Sequence, residues 1–322
     1  MKAIQVKRTG GPEVLELGEL SVPEAKGSDA VVKIAAAGVN FIDVYYREGR
    51  YQAVVPFVPG QEGAGEVVAV GPDVTDIKVG DRVAYTMVMG SYAEYASVAA
   101  DRLVKIPAGV SYQQAAAAML QGMTAHYLSH DTYPLKRGET ALVHAAAGGV
   151  GLLLVQMARN IGARVIATTS TEEKAKLARD AGANDVILYT QKDFEAETRR
   201  LTEGKGVDVV YDSVGRTTFE KGLDVLRPRG YMVLFGGSSG AAPPFDPIQL
   251  SQKGSLYVTR PTLAHYIATR EELVRRSADV FGMIAANKLK LRFEHTYALK
   301  DAAQAHRDLE NRKTTGKLLL MN

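Results

Sequence analysis

The chain has 322 residues, 46% hydrophobic and 23% charged, a balance that suits a globular protein of about two domains with a substantial core. Its net charge of +3 is too small and too dispersed to argue for nucleic acid or a membrane surface, and no apolar run reaches the ~20 residues that span a bilayer. There is no cysteine, which excludes disulfides, thiolate metal sites and a cysteine nucleophile. The N-terminus has no secretory pattern, so the cytoplasm is the expected location.

Met1 to Val6 reads as a first strand, followed by a turn at Gly10-Gly11-Pro12. Val14 to Leu20 and Ala30 to Ala36 read as further strands between Gly/Pro punctuation. Gly60 to Val70 and Gly80 to Ala84 continue the series, predicting a largely antiparallel, barrel-like unit up to about residue 100. Ser111 to Leu128 changes character: Ser111 suits an N-cap and QQAAAAML is strongly helix-favouring. From Thr140 strands and helices alternate. Strands are expected at Thr140 to His144, Arg164 to Thr168, Val186 to Tyr189, Val207 to Tyr211 and Tyr231 to Phe235. Helices are expected at Leu152 to Ile161, Thr171 to Ala181, Phe194 to Leu201 and Thr217 to Leu226. That alternation is the signature of a parallel, doubly wound α/β sheet. Pro243 to Pro247 reads as a loop and Ser255 to Thr259 as a last strand of this part. Helices at Glu271 to Ala286 and Ala302 to Glu310, then a strand at Lys317 to Met321, return to the strand-rich part. The sheet-and-helix domain is therefore expected as an insertion.

The densest signal is His144-Ala145-Ala146-Ala147-Gly148-Gly149-Val150-Gly151, between a predicted strand and a predicted helix. Small residues at that junction bring backbone N–H groups and a helix N-terminus against a phosphate, so a dinucleotide pyrophosphate is expected there. His144, at the strand end, reads as structural. His126 and His130 lie four apart on a predicted helix, with no third ligand near them in sequence, so two ordinary histidines are expected and no metal.

Together with that motif, GVNFIDVYYREGRY (Gly38 to Tyr51), VVYDSVG (Val209 to Gly215) and YVTRPTL (Tyr257 to Leu263) make the chain resemble bacterial NADPH:quinone oxidoreductases. These form the zeta-crystallin-like, zinc-independent branch of the medium-chain dehydrogenase/reductase superfamily. The likeness covers essentially the whole chain. It implies a Rossmann domain inserted into a GroES-like catalytic domain, and a homodimer. The expected division is 1–123 and 261–322 for the catalytic domain, with 124–260 binding NADPH. Where zinc-dependent relatives carry Gly-His-Glu, this chain has Gly60-Gln61-Glu62.

No acid ends the second Rossmann strand (Ala167 to Thr171), where NAD sites place one on the ribose. Lys174 can approach a 2′-phosphate as a point charge, or stand as a solvated helix lysine. The resemblance implies that Ser170, Lys174 and Tyr189 form the 2′-phosphate pocket, which favours NADPH over NADH. It further implies that Asn40, Thr124, Ser213, Phe235, Gly236 and Arg312 line the nicotinamide or the phosphates. Asn40 can donate and accept, and suits the nicotinamide ribose, a substrate oxygen or a turn. Tyr45, Tyr51 and Arg260 are candidate substrate contacts, with either tyrosine able to bond a quinone oxygen. Asp43 can orient Asn40 or Tyr45, or cap backbone. The expected reaction is hydride transfer from NADPH to small quinones, with reduction of an activated C=C bond as the alternative. A non-enzymatic RNA-binding role would need a basic stripe with stacking aromatics. Its best local match, Arg199 to Gly206, is short and contains Glu203, so no nucleic-acid partner is expected.

Overall fold

The computed structural model describes Met1 to Asn322. It divides into unit 1, Met1–Met123 with Tyr266–Asn322, and unit 2, Thr124–His265.

Unit 1 begins with a two-stranded antiparallel ribbon, β1 (Lys2–Gln5) and β2 (Glu16–Glu19). The second strand is shorter than the Val14 to Leu20 run predicts, because Pro12–Val14 winds into a 3-10 turn. The central strand is β3 (Asp29–Val39), whose small and β-branched residues are buried at eight of eleven positions. One edge of β3 pairs with β4 (Glu62–Val70), which continues to β5 (Arg82–Thr86). The other edge is shared: β6 (Tyr95–Ala99) pairs with Asp29 to Lys33, and the C-terminal strand takes Ala36 to Val39. A short β7 (Val104–Lys105) closes the far side against β5. The sequence left the Asn40 to Tyr46 run unassigned, and here it forms α1 (Phe41–Arg47) directly after β3. Helix α2 (Tyr112–Tyr127) starts on a capping box: Ser111 Oγ accepts from Gln114 N–H, and Gln114 Oε1 accepts from Ser111 N–H. The boundary between the units falls within this helix.

Unit 2 alternates strictly, with β8 (Thr140–Val143), α3 (Gly149–Ile161), β9 (Arg164–Thr169), α4 (Glu172–Ala181) and β10 (Asp185–Leu188) in order. They are followed by α5 (Phe194–Leu201), β11 (Val207–Asp212), α6 (Phe219–Asp224) and β12 (Leu226–Leu234). Then come α7 (Ile248–Gln252), β13 (Tyr257–Thr259) and the short α8 (Leu263–Tyr266). All six strands are parallel, in the order β10-β9-β8-β11-β12-β13. Right-handed crossovers place α3 and α4 on one face and α5 and α6 on the other, which is the doubly wound fold. The helix expected over Thr217 to Leu226 stops at Asp224, because Leu226 is taken by β12 to pair with Val207 ahead of a bulge.

The last segment returns to unit 1 through α9 (Arg270–Ala285), β14 (His295–Ala298), α10 (Ala302–Glu310) and β15 (Leu318–Met321). β15 runs antiparallel to β3 and parallel to β14, completing a seven-stranded sheet. Ile4, Val32, Ile34, Val39, Tyr85, Tyr92 and Leu320 belong to its core, and Leu142, Ile166, Val210, Phe219 and Met232 to the core of unit 2.

Helix α5 depends on one side chain for its start: Asp193 accepts from the N–H groups of Glu195 (2.9 Å) and Ala196 (3.1 Å). Asp193→Ala leaves both donors to water and is expected to destabilise the protein by about 1 kcal/mol. A lowered urea midpoint, with NADPH affinity unchanged, is the outcome that checks it.

Candidate functional site

In unit 2 the strand order reverses between β8 and β11, and ligands of doubly wound sheets bind beyond the C-terminal strand ends at such a point. The chain leaves β8 at Val143, passes through Ala145 in the left-handed region (φ +50°), and enters α3 at Gly149. His144 is buried on the way, with Nδ1 2.9 Å from Thr168 Oγ1 and its ring edge-on to Phe194; burial holds its pKa below the ordinary histidine value. A Cβ on Gly151 would stand 2.4 Å from Ala145 O, so only glycine lets the first turn of α3 lie against the loop. The N-cap, Gly148, has no side chain to accept from that turn, whereas Thr171 caps α4 and Asp193 caps α5. The first turn of α3 thus has no side-chain acceptor for its N–H groups, the arrangement that suits an anion, with Ala147, Gly148, Gly149 and Val150 around it.

The neighbouring strand ends gather the other expected cofactor residues of unit 2. Tyr189 N–H donates to Thr169 O at 3.1 Å, and Thr190 Oγ1 donates to Ser170 O at 2.9 Å. Ser170, the partly exposed Tyr189 and Lys174 in the first turn of α4 therefore share the C-terminal end of β9 and β10. On the far side of the reversal, Phe235 N–H donates to Asp212 O at 2.8 Å. Gly236 lies so close to Ser213 that a Cβ would meet its carbonyl at 2.6 Å. Arg260 follows β13 and donates to Leu234 O at 3.1 Å, so it belongs to the same edge. Thr124 is buried in α2 and belongs to unit 2, while Arg312 is exposed in unit 1 in a left-handed conformation (φ +57°). The basic residues of the 199–206 segment are matched locally: Arg199 with Glu195, Arg200 with Glu197 and Lys205 with Glu203.

In unit 1 the expected residues cluster on α1 and the loop after it. Tyr45 and Tyr51 meet edge-to-face at 5.4 Å between ring centres, and the Arg50 guanidinium lies over the Tyr45 ring at 5.4 Å. Asn40 occupies the N-cap position, yet its carboxamide turns into the protein. Oδ1 accepts from Lys317 Nζ (2.7 Å) and Gln121 Nε2 (3.2 Å); Nδ2 donates to Glu62 Oε2 (3.0 Å) and Gly38 O (3.3 Å). Lys317 and Glu62 form a buried ion pair, and Glu62 Oε1 also accepts from Leu120 N–H at 2.5 Å. A Cβ on Gly38 would fall 2.2 Å from Glu62 Oε2 and 2.7 Å from Lys317 Nζ, so the missing side chain in β3 is what admits the pair. Burial pulls the Lys317 pKa down, opposed by the charges of Glu62 and Asp43.

Asp43 is buried, and its Oδ2 accepts from Asn40 N–H (2.9 Å) and from Tyr92 O–H (3.0 Å). It caps the backbone at Asn40 and opens a chain of bonds that the sequence did not suggest. Tyr92 Oη lies 3.1 Å from His306 Nε2, and His306 Nδ1 lies 3.1 Å from Arg47 Nη1. Arg47, fully buried, also binds Glu310 through two nitrogens at 2.6 and 3.1 Å. Arginine can only donate, so His306 accepts at Nδ1 and carries its proton on Nε2. The Nε2–H then donates to Tyr92 Oη, which leaves the tyrosine proton for Asp43. Burial, then the nearby Arg47 charge, push His306 down to about 3, which keeps it neutral in that tautomer. No local pattern announces Glu62, Lys317, Tyr92, His306 or Arg47 as parts of one network. The only hint is a lysine heading the apolar run of β15.

Burial pushes the Asp43 carboxyl up to about 7, against the hydrogen bonds from Asn40 and Tyr92 and the charge of Lys317. Since Oδ2 accepts two bonds, the protonated form carries its proton on Oδ1, the oxygen without a partner. A carboxyl with a raised folded-state pKa binds its proton more tightly when folded, so stability falls as pH rises from about 4 to about 7, by roughly 4 kcal/mol, and is level above. Asp43→Asn keeps the shape and abolishes the titration. Urea unfolding across that range is expected to show wild type losing stability relative to the variant; parallel pH curves would remove the shift.

Comparison with known proteins agrees with both units. Residues 26–108 match the alcohol dehydrogenase GroES-like domain, and residues 149–279 the family described as zinc-binding dehydrogenase. The latter description carries a metal that the residues here do not fit: cysteine is absent, and no three His, Asp or Glu side chains stand close enough to hold an ion. The quinone oxidoreductase of Pseudomonas aeruginosa is 47% identical, over 99% of both chains. The crystal structure of Escherichia coli quinone oxidoreductase complexed with NADPH superposes with a TM-score of 0.98 at 45% identity, over the full length of both. A 2-haloacrylate reductase from Burkholderia is 41% identical over 99% of this chain and 98% of its own. With that similarity along its whole length, and with the doubly wound sheet and glycine-rich turn that go with it, the chain belongs to the quinone oxidoreductases of the zinc-independent medium-chain dehydrogenase/reductase superfamily.

Proposed function

We propose that this protein reduces small quinones, such as benzoquinones and naphthoquinones, with NADPH and without a metal. The observation that carries this reading is the α3 N-terminus at the strand-order reversal, stripped of any capping side chain, in a chain whose relatives are quinone oxidoreductases. The residues there fit a dinucleotide: first-turn N–H groups for the pyrophosphate at Gly149, Val150 and Gly151, beside Ala147 and Gly148, and Lys174, Ser170 and Tyr189 for the 2′-phosphate. When bound, NADPH supplies the hydride. The chain's own contribution is position and proton supply. Asn40, Thr124, Ser213, Phe235, Gly236 and Arg312 hold the cofactor. Tyr45 and Tyr51 present hydroxyls to a quinone oxygen, and Arg260 keeps N–H groups beyond the one spent on Leu234. Asp43 acts indirectly, by holding the Asn40 backbone. The protein works as a cytoplasmic homodimer in this reading. The family resemblance supports the dimer, as does β13, an edge strand with a half-exposed Tyr257.

The Burkholderia relative, named for reduction of a halogenated acrylate, favours one second reading, reduction of an activated C=C bond. Loss of NADPH absorbance with 1,4-benzoquinone, 1,2-naphthoquinone, a 2-alkenal and 2-chloroacrylate separates the two. Quinone turnover with little alkene turnover is expected, and the reverse would transfer the assignment to C=C reduction. For the cofactor, Lys174→Ala is expected to weaken NADPH by about tenfold to a hundredfold, the worth of a charged hydrogen bond, and to leave NADH unchanged. Equal losses for both cofactors would take Lys174 out of the phosphate pocket.

A further inference from the structure

In the proposed reaction Asn40 could donate to a ligand or accept from one, and its surroundings remove the first option. A carboxamide has two N–H donors and one oxygen with two lone pairs. Both donors are spent, on Glu62 and on Gly38, and both lone pairs are met, by Lys317 and by Gln121. Turning the amide over would set Nδ2 against an ammonium and Oδ1 against a carboxylate, so the ion pair fixes its orientation. The four bonds are not equal. Those to Glu62 and Lys317 are charge-assisted and buried. Two bonds are neutral: the one to Gly38 O, at 3.3 Å, goes to a buried backbone carbonyl of β3 that no ligand can displace, whereas the one from Gln121, at 3.2 Å, comes from a partly exposed side chain whose own Oε1 has no partner. That is the bond a ligand can replace, and only another donor can replace it.

We propose that Glu62 and Lys317 are a positioning pair that fixes Asn40 as an acceptor, so that Asn40 receives an O–H group by displacing Gln121 and does not bind a quinone carbonyl. The hydroxyl comes from the cofactor ribose or from the hydroquinone product; both present the same chemistry. This rests on the reading of Asn40 as a ligand contact. Neither Glu62 nor Lys317 touches the ligand itself.

Glu62→Gln tests the pair. The new amide retains an acceptor for Leu120 N–H and points a donor at Asn40 Nδ2 and Lys317, so that Asn40 no longer has one favoured orientation. The dissociation constant of NADPH, inhibition by hydroquinone and the KM for benzoquinone are measured on folded protein. NADPH binding or hydroquinone inhibition is expected to weaken about tenfold, the worth of one hydrogen bond, with the quinone KM unchanged. Which of the two weakens identifies the source of the hydroxyl. The double variant Asn40→Asp/Glu62→Gln exchanges carboxylate and carboxamide, keeps an oxygen facing Lys317, and is expected to restore most of the lost affinity. A raised quinone KM with the other two constants unchanged would overturn the proposal, as would equal losses in all three or no change in any. Should the single variant fail to fold, the double variant decides: retained NADPH and hydroquinone affinity supports the acceptor role, and loss of both overturns it. Unchanged affinities in both variants, beside a wild-type protein that turns over quinone with NADPH, refute the polarity alone. Wild-type protein that binds no NADPH refutes the underlying reading and the proposal with it.

Discussion

The charge buried between Glu62 and Lys317 constrains unit 1 more than any other interaction. Taking an ammonium and a carboxylate out of water costs several kcal/mol per ion, and their attraction returns that only when the remaining donors and acceptors are met. Here they are met by Asn40 Oδ1 and Nδ2 and by Leu120 N–H. Removing either partner would leave an uncompensated buried charge, a loss of about 3–5 kcal/mol, whereas an apolar pair of similar volume would serve stability as well. What an apolar pair could not do is fix the polarity of an amide. The pair also dictates sequence at a distance: β3 must carry glycine at Gly38, where any side chain would overlap both charges.

A second network extends from the same asparagine in the opposite direction. Its bonds run one way, from Arg47 through His306 and Tyr92 to Asp43, because the first group can only donate. A chain that begins at a permanently charged guanidinium cannot pass protons out to solvent. Its effect is mechanical: it pins α1 to α10 through Glu310 and holds the N-cap backbone of α1 through Asp43. The side chain of Asn40 is thus set by one buried network and its backbone by another. Such double restraint is what a positioned group needs if reacting atoms are to meet within a few tenths of an ångström.

The two units differ in how much of this the sequence announces. The glycine-rich turn of unit 2 was legible because strand, turn and helix lie consecutively between Thr140 and Ile161, and the alternation after it fixes a parallel sheet. Strand β12 begins earlier than its hydrophobic run suggests, since Pro228 and Gly230 hide an extended segment whose pairing is set by Val207. Helix α1 carries β-branched and aromatic residues that give no helical preference of their own; its start is imposed by the Asp43 cap and its end by the cross-link at Arg47. The polar networks were illegible for a different reason. Asn40 meets Lys317 across 277 positions, and Arg47 meets His306 across 259. Only the antiparallel register of β15 on β3 brings the first pair together, and no spacing rule reaches that far.

The units therefore prepare their ligand contacts by opposite means. In unit 2 the N–H groups at the start of α3 have no capping side chain, at the point where the strand order reverses. This suits a phosphate, which brings full negative charge and many acceptor oxygens and needs little orientation from a single donor. In unit 1 every donor and lone pair of the Asn40 amide is met internally, and of its two neutral bonds only the one from the partly exposed Gln121 is open to exchange. That suits a contact whose value lies in direction, since a hydride donor and its acceptor must be held face to face.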